Sequence, residues 1–469
     1  MPCVLFFLAG CHRLKNAQRG REEMSVGKQE DEEILDTALL AGHILLENGA
    51  EIYRVEETID RICAHYGVSS ENAFVLSNGI FLTAGNARES FFAKVQHIPV
   101  SGTHLDKVAA VNQLSREIVE GKHSIEEARQ ILENIRRMPG KKRWMQVAAS
   151  GVGSAAFCLL FGGTARDSLA ALLAGLLLYL YVLWLGAPHL SKIVGNIGGG
   201  ALVTLVCSIF YLAGAGENLN YMMIGSIMPL VPGVAFTNAI RDIADGDYIS
   251  GSVRMLDALL VFFCIAIGVG IGFSAVSMAP GPWGDLLRVT DLAGSSGQVA
   301  EFQTAGSRLL LMGKEILSAV VGTVSFSLLF GVPREYYPYC GLIGGAGWLV
   351  YSLTELILPG SGPCFAATAV VIFLSRTAAV LERCPATIFL IAGIFPLVPG
   401  AGVYWTVYHI VMEELFMAVQ TGYSAMKSAA AIVLGIVFVF ELPQGLFIRL
   451  AGHGRRTGKA EKPQGKGTP

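Results

Sequence analysis

The chain has 469 residues, 52% of them hydrophobic and 15% charged, with a net charge of −2. Soluble domains carry about 25% charge, and here the shortfall is local: residues 1–143 hold 38 of the 72 Asp, Glu, Lys and Arg, whereas residues 144–448 hold only 27. A soluble fold of that size could not cover its surface with so few charges, so the composition excludes a wholly soluble protein, a disordered chain and a disulfide scaffold, and the near-neutral charge gives no reason to expect a nucleic-acid partner.

Residues 1–29 come first. Leu8-Ala9-Gly10-Cys11 looks like a lipoprotein cleavage box, but no basic residue precedes the short apolar run. We read 1–29 as a frayed or spurious extension, with Met24 as the true start. Nine cysteines are scattered singly, without a CxxC pair, so no metal and no cofactor are expected.

Residues 30–138 read as a small α+β domain. Helices are expected at 30–47 and 51–66, with Asn48-Gly49 as the stop between them. Asn78-Gly79 flanked by β-rich runs predicts a hairpin, and 89–100 a third strand. Two helices follow at 104–120 and 124–137, the last opened by Ser124 and Glu127 as a capping box. The domain carries His43, His65, His97, Glu47, Glu51, Glu56 and Glu57, in no metal or nucleophile spacing. Glu51–Arg54 and Glu57–Arg61 are expected to be ion pairs on a solvated helix face. No catalytic residues are assigned, and the chain is not read as an enzyme.

Residues 144–446 read as membrane. Ten hydrophobic segments are long enough to cross, at about 20 residues each: 145–162, 168–187, 193–214, 221–240 and 255–277, then 308–331, 338–358, 363–381, 386–410 and 424–446. The halves are 144–277 and 308–446, joined by an external loop at 278–307 and followed by a basic tail at 447–469. Lys and Arg number 17 on the side of the two flanks and five on the other. The positive-inside rule then places both termini in the cytoplasm of a multi-pass cell-membrane protein.

One repeat stands out. Pro229-Leu-Val-Pro-Gly233 recurs as Pro396-Leu-Val-Pro-Gly400, 167 residues later, each inside the fourth span of its half. The prolines remove backbone donors and strain the preceding turn. The freed carbonyls and amides must face protein or a wet cavity rather than lipid. An odd number of spans per half makes the repeat inverted, and matched interrupted spans point to a transport site. The fold class expected is therefore an α-helical polytopic membrane protein of two five-helix inverted-repeat halves, preceded by the α+β cytoplasmic domain.

The substrate site is expected around Pro229, Val231, Pro232, Gly233, Thr237 and Asn238, and around Pro396, Val398, Pro399, Gly400 and Tyr404. At the same offset Thr237 matches Tyr404 and Asp242 matches His409. Asp242 and His409 are candidates for proton coupling, against the alternative that both lie at the interface, where charge costs little. Glu355 is expected deep in the seventh span and is the third candidate, ahead of Glu315 and Glu441. The glycine clusters at 195–201 and 341–348 lack a phosphate-loop context and read as close helix packing.

These segments resemble the threonine/serine exporter family. The likeness is carried by LLENGAEIYRVEETIDRICAHYGV (residues 45–68), SNGIFLTA (77–84), LDKVAAVNQLSREIVEG (105–121) and CPATIFLIAGIFPLVPGAGVYWTVYHIV (384–411). It implies a proton-motive-force-linked exporter of small hydrophilic amino acids, with a soluble cytoplasmic domain ahead of ten spans. Split relatives of that family imply a dicarboxylate exporter as the alternative. A membrane-bound hydrolase and a passive channel are the readings of other classes. The partners expected are a small-molecule substrate and the lipid bilayer, with a homo-oligomer left open.

Overall fold

The computed structural model describes residues 30–68, 71–86, 89–99, 102–186, 189–278, 305–411 and 413–457. The expectations for residues 1–29, for most of the loop at 278–307 and for the tail beyond Thr457 lie outside these. The chain forms two compact units, one of residues up to Gly102 with Lys107–Met138, the other of Thr103–Asp106 with Pro139 onward.

The first unit opens with α1 (30–47) and α2 (Ile52–His65). A meander follows, β1 (Glu71–Leu76), β2 (Gly79–Asn86) and β3 (Glu89–His97), in the order β1-β2-β3. Helices α3 (Leu105–Val119) and α4 (Ile125–Arg137) complete the set. Strand alternation puts the Val75–Ile80 pair in the core and the Phe74–Phe81 pair on the outer face. Leu35, Leu39, Ile52, Ile59, Val111 and Leu132 close the core against the buried sheet face. Leu76 pairs with Gly79, so the turn is Ser77-Asn78, one residue earlier than expected. Ser124 and Glu127 form the expected capping box.

One pair departs from expectation. Glu51 is fully buried, not on a solvated face, and accepts a hydrogen bond from Arg54 Nε at 3.0 Å. It stands at the tight turn between α1 and α2, where the two helices fold together and shut out water; a one-helix periodicity cannot register that. Glu57–Arg61 does form on the open face as expected.

The described residues of the second unit form helices joined by turns. Its first set is α5 (Arg143–Leu160), α6 (Ala165–Tyr181, extended by one π turn over Val182–Gly186), α7 (Lys192–Leu212), α8 (Leu219–Ile227), α9 (Gly233–Ala244) and α10 (Tyr248–Ser277). Its second set is α11 (Ala305–Leu329), α12 (Tyr337–Thr354), α13 (Gly362–Glu382), α14 (Thr387–Ile394), α15 (Gly400–Val411) and α16 (Leu415–Phe440). Helix α17 (Gln444–Thr457) follows. Shifting the first set by 167 residues lays each helix on its counterpart. The packing repeats too: α7 on α10 and α13 on α16, α5 on α6 and α11 on α12, α9 on α10 and α15 on α16. At one of these crossings a Cβ on Gly268 would strike the α7 backbone, and one on Gly435, 167 residues later, would strike α13. Small residues are what let such helices approach so closely.

Six of these helices are long and apolar enough to cross a bilayer, and each bent pair, α8 with α9 and α14 with α15, adds one more, for up to eight. The segments expected as the first and seventh spans are the 18-residue helices α5 and α12. The chain is a multi-pass membrane protein.

Candidate functional site

Both PLVPG segments break their helices. After α8 a 3-10 turn runs over Met228–Leu230, and after α14 one runs over Phe395–Leu397. The bend is 60° at the first break and 43° at the second. The backbone is the same in detail. Val231 and Val398 are extended, with φ −62° and ψ 125° in one and φ −60° and ψ 131° in the other. The Gly233 N–H donates to the Val231 carbonyl at 2.8 Å, and the Gly400 N–H to that of Val398 at 2.7 Å. Pro232, at φ −79° and ψ 52°, is the centre of an inverse γ-turn. Proline suits that position, since its ring fixes φ and no amide hydrogen is needed there.

The two breaks pack on each other reciprocally. A Cβ on Gly233 would stand 2.6 Å from Cε2 of Phe395, and one on Gly400 would stand 3.1 Å from Sδ of Met228. Met228 and Phe395 are themselves 167 residues apart, as are the two glycines, so one contact is drawn twice. Phe395 also stacks on Phe326, with ring centroids 4.1 Å apart, and meets Phe157 and Phe330 edge-on or tilted. The Met228 side lacks such a plug. There a small hollow of about 20 Å³ is lined by Ile227 and Val231 from the first break, Phe262, Ile265, Ala266 and Val269 from α10, and Gly400 and Tyr404 from α15. That is room for about one water molecule, so a solute could enter only as the helices move apart. The Tyr404 hydroxyl donates to Asn220 Oδ1 at 2.9 Å, joining α15 to α8.

The expected site residues fall into three groups. Val231, Gly400 and Tyr404 line the hollow, while Gly233 meets the opposite break. Pro229 and Pro396 sit in the 3-10 turns, and Pro232, Val398 and Pro399 carry the reversal that follows. Thr237 and Asn238 are buried one turn beyond the first break, with Thr237 Oγ1 donating to the Gly233 carbonyl of its own helix at 2.8 Å.

The three ionisable candidates are not gathered there. Asp242 is buried and bonded to Arg254 Nη1 at 2.8 Å, and His409 Nδ1 lies 2.6 Å from Glu414 Oε2. Each has its own partner at the far end of its helix. Glu355 is not deep in a span: α12 ends at Thr354 and Glu355 is exposed in the turn that follows. Pro359 and Gly360 just ahead end the helix early. Glu315, within a span, is held by its neighbours: it accepts from Trp348 Nε1 at 3.2 Å and lies 3.5 Å from Ser352 Oγ.

The sequence reading missed Met228, Phe395, Asn220 and the α10 lining. The 167-residue offset could have pointed to the first two. The α10 residues carry no signal, because they are apolar positions on an apolar helix.

In the first unit, His43 is buried beside Glu47, with its pKa lowered, chiefly by desolvation. Among the described residues no three His, Cys, Asp or Glu side chains group as metal ligands.

A model of the threonine/serine exporter family matches residues 36–276, and a second, "Threonine/Serine exporter, ThrE", matches residues 315–441. The chain belongs to the threonine/serine exporter family. It is 24% identical to the "Threonine/serine exporter" of Corynebacterium glutamicum, over 86% of this chain and 81% of that protein. It is 21% identical to the "Probable threonine/serine exporter" of Mycobacterium tuberculosis, over 89% and 78%. It is also 23% identical to the "Probable succinate transporter subunit YjjP" of Klebsiella aerogenes, over 52% of this chain and 95% of that one. No solved structure matches the chain. The family is one of exporters of amino acids.

Proposed function

We propose that the chain is a secondary active transporter that exports threonine, serine or similar small amino acids by alternating access around the two PLVPG breaks. The observation that carries this reading is the reciprocal packing of Gly233 on Phe395 and Gly400 on Met228. A matched pair of irregular helices in contact with each other is the arrangement in which freed backbone groups can serve a solute instead of costing stability. In this reading ten segments cross the membrane, α5 and α12 included, and the second five run opposite to the first. Both termini then lie in the cytoplasm.

The substrate site is the junction of the breaks. The amide ends of α9 and α15 begin at Gly233 and Gly400. They favour a carboxylate, because a helix N-terminus carries partial positive charge. The carbonyl ends of α8 and α14 stop at the same junction and favour an ammonium. A zwitterion satisfies both kinds of end. Val231 and Val398 shape the walls, and the Tyr404 hydroxyl, with Thr237 and Asn238 a turn beyond the other break, reads the side chain. Protons couple through span-end or in-span groups: Asp242, His409 and Glu355, with Glu315 added for its protein-facing position.

Purified protein in liposomes tests this. Vesicles loaded with threonine or serine should release it when a pH gradient is imposed and hold it when the gradient is collapsed. Succinate moving in place of both amino acids would favour the dicarboxylate reading. Gradient-independent leakage of every small solute would replace the transporter with a channel.

A further inference from the structure

We propose that the transport path is closed at two matched gates, Arg241 on Phe440 and Tyr408 on Phe273. The inference rests on reading the break junction as the path. The Arg241 guanidinium lies 4.2 Å from the Phe440 ring centroid. The Tyr408 and Phe273 centroids are 5.8 Å apart, at 70°. Adding 167 to 241 gives 408, and adding 167 to 273 gives 440. One contact is therefore made twice, with different chemistry.

Each gate has the same construction. The helix that follows a break reaches the long helix of the other set: α9 meets α16, and α15 meets α10. Since α9 and α15 both run away from the junction, inverted halves put the two contacts on opposite sides of it. The hollow fits between them. Val269 and Tyr404 line it, and each lies one turn before Phe273 and Tyr408 respectively. The Tyr408 contact thus shuts one end of the hollow. Thr237 precedes Arg241 by the same single turn on the other side.

The two closures differ in charge. Tyr408 and Phe273 make a neutral, buried aromatic contact. Arg241 is a cation with Asp245 Oδ2 3.7 Å away, and a second guanidinium, Arg376, lies 5.3 Å from the same Phe440 ring. Edge-on aromatic and cation–ring contacts are weak enough individually to break in each cycle. Both are closed in this structure, which makes it an occluded state.

Sided labelling tests the gates. Tyr404→Cys is introduced into the full chain in sealed vesicles, alone and together with Phe273→Ala or Phe440→Ala. A membrane-impermeant maleimide is then applied to one face at a time. The same proteins with Tyr404 retained give the background from native cysteines. Removing Phe273 should raise labelling at least ten-fold from one face only, and removing Phe440 should do so from the other face only. Labelling raised from the same face in both, or unchanged in either, overturns the proposal. If an alanine variant does not reach the membrane, Phe→Leu at that position serves, because it also deletes the ring contact. The measurement needs no solute. With flux measured on the unsubstituted protein, threonine flux without opposed labelling sinks the gates alone, and opposed labelling without flux sinks the amino-acid reading alone.

Discussion

The two breaks have one backbone and two sets of side chains. Val231 and Val398 share their dihedral angles to within a few degrees, and Gly233 and Gly400 close the same short turn. Around that frame the residues diverge. Met228 stands where Phe395 stands, Thr237 where Tyr404 stands, and Asp242, paired with Arg254, where His409 stands, which meets Glu414 instead. The backbone is fixed by what the breaks must do, which is expose polar groups away from lipid. The side chains are freed to make the junction unequal, filled on the Phe395 side and hollow on the Met228 side.

The sharpest way to break the comparison is to fill both glycines. Gly233→Ala forces a methyl into the Phe395 ring, which is itself clamped by Phe326 and Phe157. Gly400→Ala meets only a flexible methionine, at a distance a small shift relieves. Overpacking a rigid site costs roughly 1–3 kcal/mol, so the first variant should lose more than about ten-fold in threonine flux while the second stays within about two-fold. Flux per folded molecule in liposomes decides this. Equal losses would show that the Phe395 side is no tighter than the other.

The charged pairs provide a second contrast. Asp242→Asn takes from the buried Arg254 the carboxylate it meets at 2.8 Å, while Asp247 still acts on it; breaking a buried pair from one side costs up to about 3 kcal/mol. His409→Gln removes a pair whose Glu414 side chain is 43% exposed, so the loss should stay under about 1 kcal/mol. The residual folded fraction after heating in detergent should rank Asp242→Asn far below His409→Gln. The reverse ranking would mean that the second pair, not the first, braces the membrane unit.

How much of this could be read from residues alone follows the same line. The breaks were legible because proline and glycine act on their own backbone, whatever surrounds them, and the repeat doubled the signal. The helix order of the membrane unit and the three-strand meander were legible from apolar runs and turn residues. Partners were not. Asp242 and Arg254 lie 12 residues apart across a turn, and nothing in either local pattern names the other. Glu355 was misplaced because its segment is apolar on both sides of the true helix end, so hydropathy continues where Pro359 has already stopped the helix. Glu51 was misread for a related reason: one helix's periodicity shows which face is apolar, but not whether a neighbour also covers its first turn.

The finest contrast is between the hydroxyls of Thr237 and Tyr404. Thr237 Oγ1 returns its hydrogen to the Gly233 carbonyl of its own helix, four residues back. Removing it with Thr237→Val deletes a local bond and leaves the volume nearly unchanged. The Tyr404 hydroxyl instead crosses to Asn220 on α8, at the wall of the hollow. Tyr404→Phe keeps the ring but leaves the Asn220 carbonyl oxygen without that donor, at a cost of about 1 kcal/mol. If Tyr404 reads the substrate's hydroxyl group, the variant should raise the KM for serine and threonine several-fold and leave alanine, which has no hydroxyl, unchanged. An equal rise for all three would reduce Tyr404 to a strut between α15 and α8. A larger effect from Thr237→Val would move the recognition point to the filled side of the junction.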